Sequence, residues 1–224
     1  MLSLSFDDPT RAGKDTSGLN NEGRIPQRAS SGGSNTASNV TNVRVSTNAV
    51  QLDGDPLGAM VLKESGTLST RGDFTFQFWV RRSRTNAAEI MISQGHSMCY
   101  PISRSACPPT RNGFALGFQE DNKFIFEVDA NENTTVSGKG LDIDLWLHWT
   151  VSFNSATFEQ AVYSNGALLI KNNVSGSLNT AGTIFIGSGY NNDRPFAGEI
   201  DELRIWNQKL LAGAIAANFD IKIT

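Results

Sequence analysis

Two runs of this chain alternate apolar and non-apolar residues with a period of two. In 73–82 (DFTFQFWVRR), Phe74, Phe76, Phe78 and Val80 fall on one side, and Thr75, Gln77, Trp79 and Arg81 on the other. In 145–154 (LWLHWTVSFN), Leu145, Leu147, Trp149, Val151 and Phe153 alternate with Trp146, His148, Thr150 and Ser152. Successive side chains of a β-strand point to opposite faces, so both runs predict strands with one buried face. Shorter runs at LSLSF, NAVQLDG, GAMVLKES, AEIMISQ, GFALGFQ, NKFIFEVD, TIFIGSG and GEIDELRIWN read the same way. QAVYSNGALLIKNN is a hairpin, because Asn165-Gly166 favours the type I′ turn that matches strand twist. LLAGAIAANF is the one helix-like stretch. Many short strands with frequent turn signals specify an all-β sandwich or barrel, and the lack of an internal repeat argues against propellers and solenoids.

The 224 residues suit one such sandwich over 1–224. Two segments interrupt it: a polar loop at 29–42 (ASSGGSNTASNVTN) and an inserted loop at 95–112 that holds Cys99 and Cys107 among prolines and serines. A disulfide there would rigidify the loop and implies an oxidising environment; two free thiols are the alternative. The net charge of −3 comes without a basic stripe, which speaks against nucleic acid as a partner. Arg81, Arg82 and Arg84 read as a solvated strand end. No segment has the roughly 20 apolar residues of a spanning helix, so membrane insertion is not expected. The start, MLSLSFDDPTRAGKD, does not read as a secretory leader. The expected place of action is nevertheless extracellular, on a cell surface or on a virion surface, reached as a mature or excised domain or by lysis.

Three blocks together resemble a family. FDDP, GKDTSGLNNEG and GDFTFQFWV resemble the opening of a laminin-G-like domain of the concanavalin A type. LWLHWTVSFN followed by AVYSNGALL resembles that family's tryptophan-histidine strand and hairpin, and FAGEIDELRIWNQKL resembles its final strand. The resemblance implies a jelly-roll β-sandwich of two antiparallel sheets, a structural calcium ion where the first and last strands meet, and a binding role toward glycans, proteins or cell surfaces.

The calcium candidates are Asp7, Asp8, Asp15, Ser17 and Asp201, with carbonyls of the DTSGLNN turn as further oxygen ligands. The competing reading is that Asp15 and Ser17 only cap a turn and that Asp201 sits in an ordinary strand. Glycan recognition calls for an aromatic face beside amide and charged groups. Tyr190, Asn191, Asn192, Asp193 and Arg194 supply that mixture in one loop, and Tyr100 and Arg104 supply it in the inserted loop. Trp79 and Trp146, on the less apolar faces of their strands, either line a sheet or pack under a loop.

Catalysis is not expected. Glycosidases of this fold carry paired carboxylates on one strand face. Glu199 and Asp201 match the start of such a motif, but position 203 is leucine, and strict alternation turns Glu202 to the opposite face from Asp201. His148 is expected to be a satisfied packing residue. The reading is therefore a non-catalytic module that recognises carbohydrate or a surface ligand. The alternatives are a structural or adhesion protein that self-associates in a larger assembly such as a virion or fibre, and a glycoside hydrolase remnant.

Overall fold

The alternating runs become the central strands of two stacked antiparallel sheets. The computed structural model describes residues 1–4, 6, 13–24, 43–46, 49–55, 59–63, 65, 68–95, 113–128, 132–136, 143–174, 182–189 and 193–221. The elements in chain order are β1 (Leu2–Leu4), β2 (Gly23–Arg24), β3 (Val43–Ser46), β4 (Ala49–Asp53), β5 (Met60–Leu62), β6 (Phe74–Arg82), β7 (Glu89–Gln94) and β8 (Phe114–Phe118). They continue with β9 (Phe124–Val128), β10 (Glu132–Val136), β11 (Trp146–Asn154), β12 (Glu159–Ser164), β13 (Ala167–Asn173), β14 (Ile184–Ile186), β15 (Ala197–Trp206) and the helix α1 (Ala212–Asn218). The polar loop 29–42, and the inserted loop from residue 96 onward with Cys99 and Cys107, lie outside the described residues.

The larger sheet runs β13-β12-β11-β6-β15-β4-β3, and β1 also pairs with β15. The smaller runs β10-β9-β8-β7-β14-β5-β2. Between them lies an aromatic core in which Phe74, Phe76 and Phe78 of β6 meet Phe114, Phe124 and Phe126 of the opposing sheet, all buried. Trp149 stacks on Phe124 with ring centroids 4.0 Å apart. The apolar residues face the core as expected except Leu145, which precedes β11 and is 58% exposed. The expectation of a single buried face is corrected, because Thr75, Gln77, Thr150 and Ser152 on the other face are buried too.

The opening and closing strands lie side by side, with Leu2 opposite Ile205 and Leu4 opposite Leu203. One edge of β15 therefore serves two neighbours in turn, β4 along Ala197–Ile200 and β1 along Leu203–Ile205. Between these stretches the register with β6 shifts, and Glu202 adopts φ 52°. This bulge corrects the alternation expected of the strand. The carboxylate of Glu202 reaches Arg204 at 3.2 Å, and Arg204 lies opposite Gln77 on the face turned away from the core. Glu202 thus joins the side of Asp201 instead of opposing it.

The arginine cluster is a second correction. Arg82 is buried, not solvated. Its Nε lies 2.8 Å from the fully buried carboxylate of Glu89, its Nη1 donates to Asn122, and its guanidinium covers the Phe118 ring at 4.2 Å. Arg84 Nε reaches the other oxygen of Glu89 at 2.6 Å, and Ala197 donates its backbone N–H to that same oxygen. Each buried charge is paired, as the cost of desolvating it demands, and the cluster ties the start of β15 to the opposing sheet. The hairpin is as expected: Asn165 and Gly166 sit at φ 48° and 76°, between β12 and β13.

Candidate functional site

β11, β6, β15 and β4 are neighbours in the larger sheet, so their outward side chains form rows across it. One row is Trp146, Arg81, Glu199 and Gln51, each opposite the next. The adjacent row is His148, Trp79 and Asp201. Three interstrand spacings of about 4.8 Å make the first row about 14 Å long. Trp146 is 38% exposed, and the Arg81 guanidinium lies 5.7 Å from its ring centroid. Arg81 also forms an ion pair with Glu199, so the guanidinium is held between an indole and a carboxylate. Gln51 is exposed, and Trp79, Glu199 and Asp201 are half-buried. The result is a rigid platform with two indoles, hydrogen-bond donors, carboxylates and an amide. Sequence reasoning found the two tryptophans but not the row, because the pairing of strands distant in sequence is invisible in any one strand.

The adjoining part of this face, on β6, β11, β12 and β15, is covered. After β15 the chain turns back across the larger sheet, and Leu210 and Ile215 pack on Ala161 and Tyr163 with Trp206 beside them. Thr75 Oγ1 donates to the Gln208 carbonyl and accepts from the Leu210 N–H. Arg204 donates to the carbonyls of Asn218 and Ile221. Beneath lie Thr75, Gln77, Thr150 and Ser152, all fully buried. His148 is buried between the rings of Trp79 and Phe219, with centroids 5.3 and 5.8 Å away. Burial, followed by the nearby Arg204 charge, lowers its pKa to about 4. Its Nδ1 has no hydrogen-bond partner. The expectation of satisfied packing is corrected: His148 is packed but not satisfied.

The predicted loop site is only partly described, since Tyr190, Asn191, Asn192, Tyr100 and Arg104 lie outside the described residues. Asp193 and Arg194 form a backbone brace: Gly189 donates to the Asp193 carbonyl and Ile90 to that of Arg194. The Arg194 side chain is 12% exposed, with Nε 3.8 Å from Asp193 and Nη1 buried without a partner. It is turned into the protein.

Of the calcium candidates, Asp7 and Asp8 also lie outside the described residues. Asp15 is buried and accepts backbone N–H bonds from Ser3 at 3.1 Å, Ser17 at 2.8 Å and Asn21 at 3.0 Å. Burial raises its pKa, but the Ser17 hydroxyl and these backbone donors outweigh that and hold the carboxyl below its ordinary value. The Ser17 hydroxyl also lies within reach of the Met1 carbonyl, at 2.9 Å, as an alternative acceptor for its one proton. Asp201 Oδ1 accepts the N–H of Glu202 at the bulge. A carboxylate that takes three backbone N–H donors organises the loop around it. Among the described residues no group of three or more His, Cys, Asp or Glu side chains forms a metal site. No described helix is long and apolar enough to cross a membrane.

Two stacked antiparallel sheets with first and last strands paired define a jelly-roll β-sandwich. The chain belongs to the concanavalin A-like lectin/glucanase superfamily, whose laminin-G-like family model matches residues 55–216. No curated protein sequence matches it. Among solved structures it is similar to botulinum neurotoxin type C, described as entering cells through interaction with two ganglioside molecules (TM-score 0.70, 16% identity, covering 98% of this chain and 50% of that one). The binding domain of Paraclostridial Mosquitocidal Protein 1 is similar too (0.67, 16%, 98% and 51%). A heptameric SAP-like pentraxin from Limulus polyphemus matches over 71% of this chain and 75% of its own (0.53, 16%). At these identities the likeness is one of fold. The chain spans about half the length of the toxin structures it matches.

Proposed function

We propose that this protein is a non-catalytic carbohydrate-binding module acting outside the cell, and that its ligand lies along the Trp146–Arg81–Glu199–Gln51 row with Trp79 and Asp201 beside it. The observation that carries this reading is the pair of adjacent rows: one indole in each for stacking on a sugar ring, with fixed polar groups in reach of its hydroxyls. The ganglioside interaction of the type C neurotoxin supports a glycan as the class of ligand. The toxin is twice as long as the matched region, so the row and not the resemblance carries the location.

The carboxylates of this face favour binding over hydrolysis. Glu199 is ion-paired to Arg81 and Glu202 to Arg204 beneath the covering segment, so neither is presented to a substrate as a proton donor. A calcium ion stays in the proposal as one held by Asp7 and Asp8 with Asp201, with Asp15 and Ser17 shaping the loop.

A glycan array, run with and without a chelator, tests the reading. Saturable binding is expected, and Trp146→Ala should weaken it about tenfold or more, from loss of stacking and of the Arg81 contact, while the fold persists. Binding unchanged in Trp146→Ala places the site elsewhere. Release of reducing ends from a bound polysaccharide, abolished by Glu199→Gln, would make the protein an enzyme.

A further inference from the structure

The segment that follows β15 covers polar groups it does not satisfy. Gln77 Oε1 and Ser152 Oγ, in the covered rows, and His148 Nδ1, at the end of the adjoining row that Phe219 covers, are buried without a partner. Leaving buried hydrogen-bonding groups unmet opposes the covered state. The cover is held by its contacts with Thr75, Arg204 and the Ala161–Tyr163 cluster and by a Lys209–Glu159 ion pair, and its helix adds little of its own. α1 has seven residues, no side-chain cap at Leu211, no acidic residue in its first turn and no basic residue in its last. Such a helix has little stability of its own, and Ile215 is its one buried residue. Gly213 sits inside it with open space where a Cβ would be. The covered rows, Thr150–Gln77–Arg204 and Ser152–Thr75–Trp206, continue the open rows on the same strands.

We propose that residues 207–221 form a displaceable strap over a second half of the binding face, and that this half takes the further units of a hydroxyl-rich chain seated on the open half. The ligand part rests on the carbohydrate reading above; the strap part does not. Hydroxyl groups are donors and acceptors at once, so one oligosaccharide can meet the amide oxygen of Gln77, the hydroxyl of Ser152 and the imidazole of His148. The guanidinium of Arg204, freed from the Asn218 and Ile221 carbonyls, would turn to the same ligand. Displacement breaks no contact of the main core, because Leu210 and Ile215 belong to a separate cluster.

Native-state hydrogen exchange on the whole chain tests the strap without a ligand. The amides of 212–219 should exchange at least about a hundredfold faster than those of β6 and β11, by local opening. Gly213→Ala should slow them about fivefold by stabilising the helix, and Ile215→Ser should speed them with β6 and β11 unchanged. On a glycan array, Ile215→Ser should raise and Gly213→Ala lower the binding of the longer members of any glycan series, leaving the shortest members alone. Strap amides that exchange only together with β6 and β11 would overturn the strap. Equal binding of long glycans by all three proteins would overturn the second half-site. Absence of glycan binding in every variant would remove the carbohydrate reading and the ligand assigned here, with the strap still decided by exchange.

Discussion

Among the described residues, His148 is a side chain on which acidity acts directly. Its folded pKa of about 4 lies below its ordinary value of 6.5, because protonation would place a charge under the strap near Arg204. The unfolded chain therefore binds a proton at a pH where the folded chain does not. The resulting stability is fully present above pH 6.5 and is lost as pH falls from there through 4, amounting to on the order of 3 kcal/mol. In urea titrations at pH 7 and 4.5, His148→Gln should flatten that decline; an unchanged pH profile would show that other groups govern it. Asp15 holds its loop through three backbone bonds. Asp15→Asn should cost about 1–3 kcal/mol by weakening the bonds to Ser3, Ser17 and Asn21. The loss should be the same in calcium and in EDTA, as read from thermal midpoints; a loss seen in calcium alone would make Asp15 a ligand after all.

Strands were legible where apolar residues alternate over a long run, as in β6 and β11, and illegible where they do not. β2 is two residues long, and β3 and β10 (VRVS and ENTTV) are too short and polar to stand out from turns. Irregularities were hidden too. The bulge at Glu202 falls where β15 exchanges β4 for β1, a fact of tertiary pairing with no local signal in GEIDELRIW. β7 shifts register between Ile90 and Ile92 opposite β8, and a Cβ on Gly117 would strike the Glu89 carbonyl oxygen. Gly117→Ala should therefore cost about 2–3 kcal/mol by forcing these backbones apart. A denaturation midpoint unchanged in that variant would mean that the bulge relaxes freely. The candidate site was half legible: the chemistry of Trp79, Trp146, Glu199 and Asp201 is in the sequence, but their adjacency depends on four strands joining in one register.

The molecule closes on itself through the pairing of β1 with β15, which joins the two ends of a very long loop. Contacts so distant in sequence form late and slow the folding of all-β chains. Leu4, fully buried opposite Leu203, reports on that closure. Leu4→Ala should lower stability by about 2–4 kcal/mol, with most of the loss in faster unfolding and little in the refolding rate, as stopped-flow chevrons would show. A refolding rate that falls in proportion would instead put β1 in the folding nucleus. The two arginine–glutamate arrangements at the start of β15 also differ in their access to mobile ions. Glu89 with Arg82 is sealed from solvent, whereas Arg81 with Glu199 borders it. Dissolved electrolyte screens the second and scarcely reaches the first, so brine should loosen the grip on a ligand long before it loosens the body that holds it.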